Sequence, residues 1–153
     1  MANARKKAQA ESAIKTSDFE SDEEVHQLVA AFEEVAITPA QFSHCAHLAV
    51  ALSYLASMTE AEARARMSSS LRRFTAHHGV DVYHETVTLF WMRLLQHLTV
   101  TTYRAMPLWR RINLIADRYA TVSPVDLHYS PGLLRTGKAR KQWVPPDRAP
   151  FAF

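Results

Sequence analysis

Thr38-Pro39-Ala40-Gln41-Phe42-Ser43-His44-Cys45-Ala46-His47-Leu48, continued by Ala49-Val50-Ala51-Leu52-Ser53-Tyr54-Leu55-Ala56-Ser57, decides the fold of this chain. Thr followed three residues later by Gln is a capping box, and proline directly after the cap sits where a helix does not need its missing N–H. The stretch predicts a helix from Pro39 to about Ser57 carrying Phe42, His44, Cys45, His47, Leu48, Leu52 and Leu55. Two more boxes flank it. Ser21-Asp22-Glu23-Glu24 opens a helix to about Val35, with Val25, Leu28, Val29 and Phe32 on one stripe and a stop at Ile37-Thr38-Pro39. Thr59-Glu60-Ala61-Glu62 opens another, through Leu71 and Phe74 to His78, with Gly79 as its natural end. Three such starts in a short chain predict an all-α protein.

Further along, an apolar stripe of His84, Val87, Trp91, Leu94, Leu95 and Leu98 predicts a fourth helix from Asp81 or Val82 toward Ala105. The β-branched residues of Thr99 to Thr102 weaken its end. A fifth helix runs from Pro107 to about Ala120, burying Leu108, Ile112, Ile115 and Tyr119, and Ser123-Pro124 stops it. Residues 123–153 are of another kind, punctuated by Pro131, Gly132, Gly137, Pro145 and Pro146. Trp143, Phe151 and Phe153 predict that this tail packs on the bundle, where it is able to close over a pocket mouth. Residues 1–20 lack periodicity and read as a disordered leader to a single domain over 21–153.

Bulk composition agrees. The chain has 153 residues, 48% of them apolar, with only 3 glycines, which suits one helical bundle of about five helices better than a β-sandwich. A single cysteine, Cys45, excludes an intramolecular disulfide and any CxxC motif. No apolar run has transmembrane length and no secretory signal is evident, so a cytoplasmic protein is expected. The formal charge of +3 is uneven: from Arg104 onward nine Lys and Arg face three acids. That excess suits an anionic substrate or an acidic partner. Basic residues interleaved with aromatics and a helix-turn-helix pattern are both missing, which disfavours nucleic acid. Glycine-rich phosphate loops, nucleophile elbows and dinucleotide fingerprints are absent as well.

Chemistry is concentrated in histidines. His44 and His47 stand at i and i+3 on one side of their helix, and buried imidazole needs a hydrogen bond or a metal. His84 opens the fourth helix in Tyr83-His84-Glu85-Thr86. In an up-down bundle the starts of the second and fourth helices share one end, which brings the three imidazoles to one level. They are the expected ligands of one transition metal ion (copper, iron or zinc), with an open position for water, dioxygen or substrate. Carboxylates are too sparse there for a di-iron, calcium or magnesium site. Glu85 is the expected acid or base, or the acceptor that orients an imidazole; otherwise it is a first-turn acid complementing the helix dipole. His128 and Tyr129 are the further catalytic candidates if the tail folds back. Arg135 and Arg140 are the expected anion clamp, with Tyr83 and Trp91 as substrate contacts. Cys45 is expected to pack as a small apolar residue, and His77 and His78 to complement a helix C-terminus.

Phe42-Ser43-His44-Cys45-Ala46-His47-Leu48, Leu71-Arg72-Arg73-Phe74, Tyr83-His84-Glu85-Thr86 with Phe90-Trp91, and Tyr129-Ser130 through Ala139-Arg140 to Pro146-Asp147 resemble segments of a family of small, uncharacterised, all-helical bacterial proteins. The resemblance spans most of the chain after residue 38. It implies that these segments belong together and supplies no activity.

The expected function is therefore a small metal-dependent enzyme acting on a small, anionic organic molecule, as a monomer or a homo-oligomer, with oxidation favoured over hydrolysis. Two alternatives stay open. One is a metal-free acid/base enzyme or lyase using His84. The other is a binding module that docks an acidic partner through the basic C-terminal third.

Overall fold

The computed structural model describes residues 14–153, and all its regular structure is helical. Five longer helices are α1 (Asp22–Glu33), α2 (His44–Ser57), α3 (Glu60–His77), α4 (Glu85–Thr101) and α5 (Leu108–Arg118). Three short ones, α6 (Val125–His128), α7 (Pro131–Leu134) and α8 (Gly137–Lys141), lie in the C-terminal tail. Helix α2 is the axis of the bundle and packs against α1, α3, α4 and α5. Its sequence accounts for that position. Ala46, Leu48, Ala49, Val50, Ala51, Leu52 and Tyr54 are all buried, and a helix apolar nearly all round must be covered on all sides. Small alanines on it let the neighbours approach closely.

Each start has its own cap. At α3 Thr59 and Glu62 exchange both bonds of a capping box, as the sequence predicts. At α1 Ser21 accepts the Glu24 N–H, but the Glu24 carboxylate reaches one residue further back and takes the Glu20 N–H at 2.8 Å. Helix α5 begins with Pro107, which offers no side-chain acceptor, so Asp22 of α1 accepts the Trp109 N–H at 2.9 Å. The end of α1 is unusual. Ala36 N–H bonds to Ala31 O and Val35 N–H to Phe32 O, closing a Schellman turn, and the left-handed position falls on Val35 at φ +56° rather than on glycine.

Four boundaries differ from the sequence reading. Thr38 and Gln41 do form their reciprocal bonds, yet the turn they close does not propagate. Phe42 leaves the helical path to stack on Phe32, with ring centroids 4.6 Å apart, and Ser43 restarts the helix by accepting the Ala46 N–H. Helix α4 begins at Glu85 rather than Asp81 or Val82, because His84 is its N-cap in an extended conformation. It also stops at Thr101, short of Ala105. Finally, the packed chain starts before Ser21. Phe19 is buried, and its backbone N–H and C=O both bond to the Asn113 side chain of α5. The remainder of the expected N-terminal tail, residues 1–13, lies outside the described residues.

The tail packs as its aromatics require. Tyr129, Ala139 and Val144 are buried, and His128, Trp143, Phe151 and Phe153 assemble around Phe90 of α4. Among the described residues no helix is long and apolar enough to cross a membrane.

Candidate functional site

A cavity of about 360 Å³ lies between α2, α3 and α4 near the starts of α2 and α4. His44, His47 and His84 all line it, so the axial coincidence read from the sequence holds. Leu48 and Ala51 continue the α2 wall, Met67, Leu71 and Thr75 form the α3 wall, and Val87, Thr88, Trp91, Met92 and Leu95 form the α4 wall. Val82, 71% exposed, and Tyr83 sit at the rim in the segment joining α3 to α4. Among the described residues no Lys, Arg, Asp or Glu side chain lines it.

The three imidazoles are held differently, His47 by one hydrogen bond, His84 by two and His44 by an aromatic contact. His47 is half-buried and stacked on Phe42 with centroids 3.9 Å apart, at the end of a row that continues to Phe32. Its Nδ1 lies 2.9 Å from Ser43 O. A carbonyl only accepts, so Nδ1 carries the proton, and Nε2 is left as a bare acceptor with no partner among the described residues. Burial pushes the His47 pKa below the ordinary imidazole range, against the Ser43 carbonyl, which raises it, and with help from the neighbouring His44. His47 is thus a fixed, neutral base at the cavity wall.

His84 has the opposite fate. As the N-cap of α4 its Nδ1 accepts the Val87 N–H at 3.3 Å, and its Nε2–H donates to Leu134 O of the tail at 2.8 Å. Both nitrogens are occupied, leaving no lone pair for a metal or a base. His44 is exposed on one side and meets the edge of Trp91 at 5.2 Å on the other. Desolvation lowers its pKa too. Among the described residues no group of three or more His, Cys, Asp or Glu side chains is disposed to hold a metal ion. The ligand set expected of His44, His47 and His84 therefore shrinks to the first two.

Glu85 is no free acid or base. Its carboxylate accepts from Arg72 at 2.8 Å, from Tyr83 Oη and from Ser68 Oγ at 3.4 Å, which ties α3 to the start of α4. Arg72 also lies over the Tyr83 ring, 5.0 Å from its centroid. Burial raises the Tyr83 pKa, and the bond to Glu85 raises it further. Tyr83 and Trp91 do line the cavity, as expected of substrate contacts.

No tail residue lines this cavity, which the tail touches only from behind, through Leu134 O on His84. Helix α4 stands between them: Val87, Thr88, Trp91 and Leu95 face the cavity, while Thr86, Phe90 and Arg93 face the tail. Tyr129 is buried with Oη donating to Val144 O at 2.9 Å, and burial pushes its pKa up to about 12. His128 bonds through Nδ1 to Ala149 O and packs on Phe151, so neither is a catalytic candidate here. Arg140 donates to the backbone carbonyl and carboxylate of Asp81 at 2.9 and 3.1 Å, steadying the rim segment from behind, and Arg135 is exposed at the end of α7. The expected anion clamp is not assembled.

Two features, one at the site and one behind it, were not legible in the sequence. Phe42 read as one more apolar position, although it supplies the surface on which His47 rests. Thr86 stands in the sequence only as the last residue of Tyr83-His84-Glu85-Thr86. It is fully buried and pins the tail, donating to Ala139 O at 2.7 Å and accepting the Val144 N–H at 3.3 Å. The available signal was a hydroxyl-bearing residue one turn before Phe90 on the same face of an apolar helix. Cys45 faces a second, more polar groove of about 350 Å³ that it shares with Asp18, His44 and Asp117. Burial pushes its thiol up to about 11, so it stays protonated.

No known protein family, curated protein or solved structure matches this chain.

Proposed function

We propose that this protein takes a small, mostly apolar molecule into the cavity between α2, α3 and α4 and transfers a proton with it through His47, without a metal. The observation that carries this reading is the His47 ring itself. Its Nδ1–H is fixed on Ser43 O, its Nε2 has no partner among the described residues, and its surroundings are apolar. A neutral base with its second nitrogen oriented by a hydrogen bond is the arrangement general-base chemistry requires. This is the metal-free acid/base alternative, with the base moved from His84 to His47. Lining side chains without formal charge favour a neutral substrate over the anionic one the basic C-terminal third suggested.

A nitrobenzisoxazole tests it. This two-ring compound opens when a base removes its ring C–H proton: the electron pair completes the nitrile, the N–O bond breaks and its pair stays on the ring oxygen, giving a single cyanophenolate. Wild-type protein should accelerate the opening, with a rate that falls on acidification as His47 takes up its proton, below the ordinary imidazole range. His47→Phe, which keeps the stack on Phe42, should return the rate to that of buffer. Equal rates in wild type and His47→Phe would refute proton transfer by His47.

A further inference from the structure

We infer that the ligand of this cavity is a neutral hydroxylated aromatic of two fused rings, its hydroxyl donating to His47 Nε2 and its rings lying against Trp91. The inference rests on the reading of His47 above and names the molecule that site would hold.

Size comes first. An apolar cavity of about 150 Å³ takes one benzene ring. The cavity here is about 360 Å³, room for two rings and a polar substituent. Charge comes second. Among the described residues no Lys, Arg, Asp or Glu lines the cavity, and the Arg72 guanidinium beside its rim is held by Glu85 and by the Tyr83 face. An anion or a cation would lose its hydration with nothing to replace it. Polarity comes third. The unpartnered Nε2 is an acceptor, so an occupant without a donor would leave it unsatisfied, whereas a hydroxyl pairs with it. Last is the nature of the walls. Trp91, packed beside His44, adds an aromatic ring to the lining, and the thioethers of Met67 and Met92 favour aromatic edges.

Equilibrium dialysis at neutral pH with four compounds of one size tests each part: β-naphthol, naphthalene, β-naphthoate and the saturated β-decalol. β-Naphthol should bind tightest. In His47→Phe its affinity should fall about fivefold to tenfold, the worth of one hydrogen bond, to the level of naphthalene, which should be unchanged. Thr88→Trp, placed at a part-exposed position on the α4 wall, should reduce binding of every compound while the far-ultraviolet circular dichroism stays helical. Naphthalene equal to β-naphthol in wild type would overturn the hydroxyl, β-naphthoate tighter than β-naphthol would overturn neutrality, and β-decalol equal to β-naphthol would overturn aromaticity. Any of these leaves the cavity and its base in place, since benzisoxazole opening tests those separately. Binding by none of the four, together with no benzisoxazole opening, would remove both the ligand class and the site it rests on.

Discussion

At His47 the Ser43 carbonyl takes the Nδ1 proton and leaves Nε2 bare, whereas at His84 the Val87 N–H and the Leu134 carbonyl occupy both nitrogens. Two imidazoles lining one cavity thus have unlike chemistry, set by one backbone partner at His47 and two at His84. The lowered pKa values of His47 and His44 also bear on stability. The unfolded chain holds these protons more tightly than the folded one, so acid favours unfolding. Stability should be full above about pH 6.5, the ordinary imidazole value, and decline as pH falls through and below it. Urea denaturation midpoints across that window measure this, and His47→Phe should make the decline shallower; an unchanged slope would mean that His47 titrates normally. Carboxylates held low, such as Glu33 beside Arg66 and Tyr54, contribute a loss only further into acid. Backbone conformation gives a second residue-scale prediction. Gly79 ends α3 at φ +64° with open space where a Cβ would stand. Gly79→Ala should therefore cost about 1 kcal/mol from backbone strain alone, read as a shift in the denaturation midpoint. A neutral result would place the strain elsewhere.

Among the elements, α4 does the dividing. One face carries Val87, Thr88, Trp91 and Leu95 to the cavity, and the other presents Thr86, Phe90 and Arg93 to the tail. The two faces should separate experimentally. Thr86→Val keeps the shape and removes the hydroxyl, leaving Ala139 O and Val144 N–H without it in a buried place. That should cost about 1–3 kcal/mol and speed proteolysis of the tail, while benzisoxazole opening at the cavity is retained. Stability equal to wild type would show the hydroxyl to be dispensable. The elements also show what was legible. Helix starts were readable where caps are local, as with Thr59 and Glu62 or Ser21. They were misjudged where a tertiary demand intervened: Phe42 is drawn to Phe32, moving the start of α2 to Ser43, and His84 is drawn to the tail carbonyl, becoming a cap instead of a first-turn residue.

For the molecule as a whole, the all-α bundle followed from capping boxes and period, and the meeting of three histidines followed from the alternation of helix directions. The route of the tail did not follow, because its docking rests on the backbone carbonyls of Leu134 and Ala139 and the N–H of Val144, backbone groups that no sequence pattern distinguishes. Sending it to the far side of α4 is what separates Arg135, His128 and Tyr129 from the cavity and makes that cavity neutral. The basic excess of the C-terminal third is consequently a feature of the surface. Everything proposed for function then depends on one nitrogen. Long-range nitrogen–proton NMR correlation of the His47 ring, followed through a pH titration and on addition of β-naphthol, examines it directly. The account predicts a neutral ring protonated on Nδ1, titrating below the ordinary imidazole range, with Nε2 shifting when β-naphthol is added. A ring protonated on Nε2 at neutral pH, or one titrating in the ordinary range and blind to β-naphthol, would contradict it.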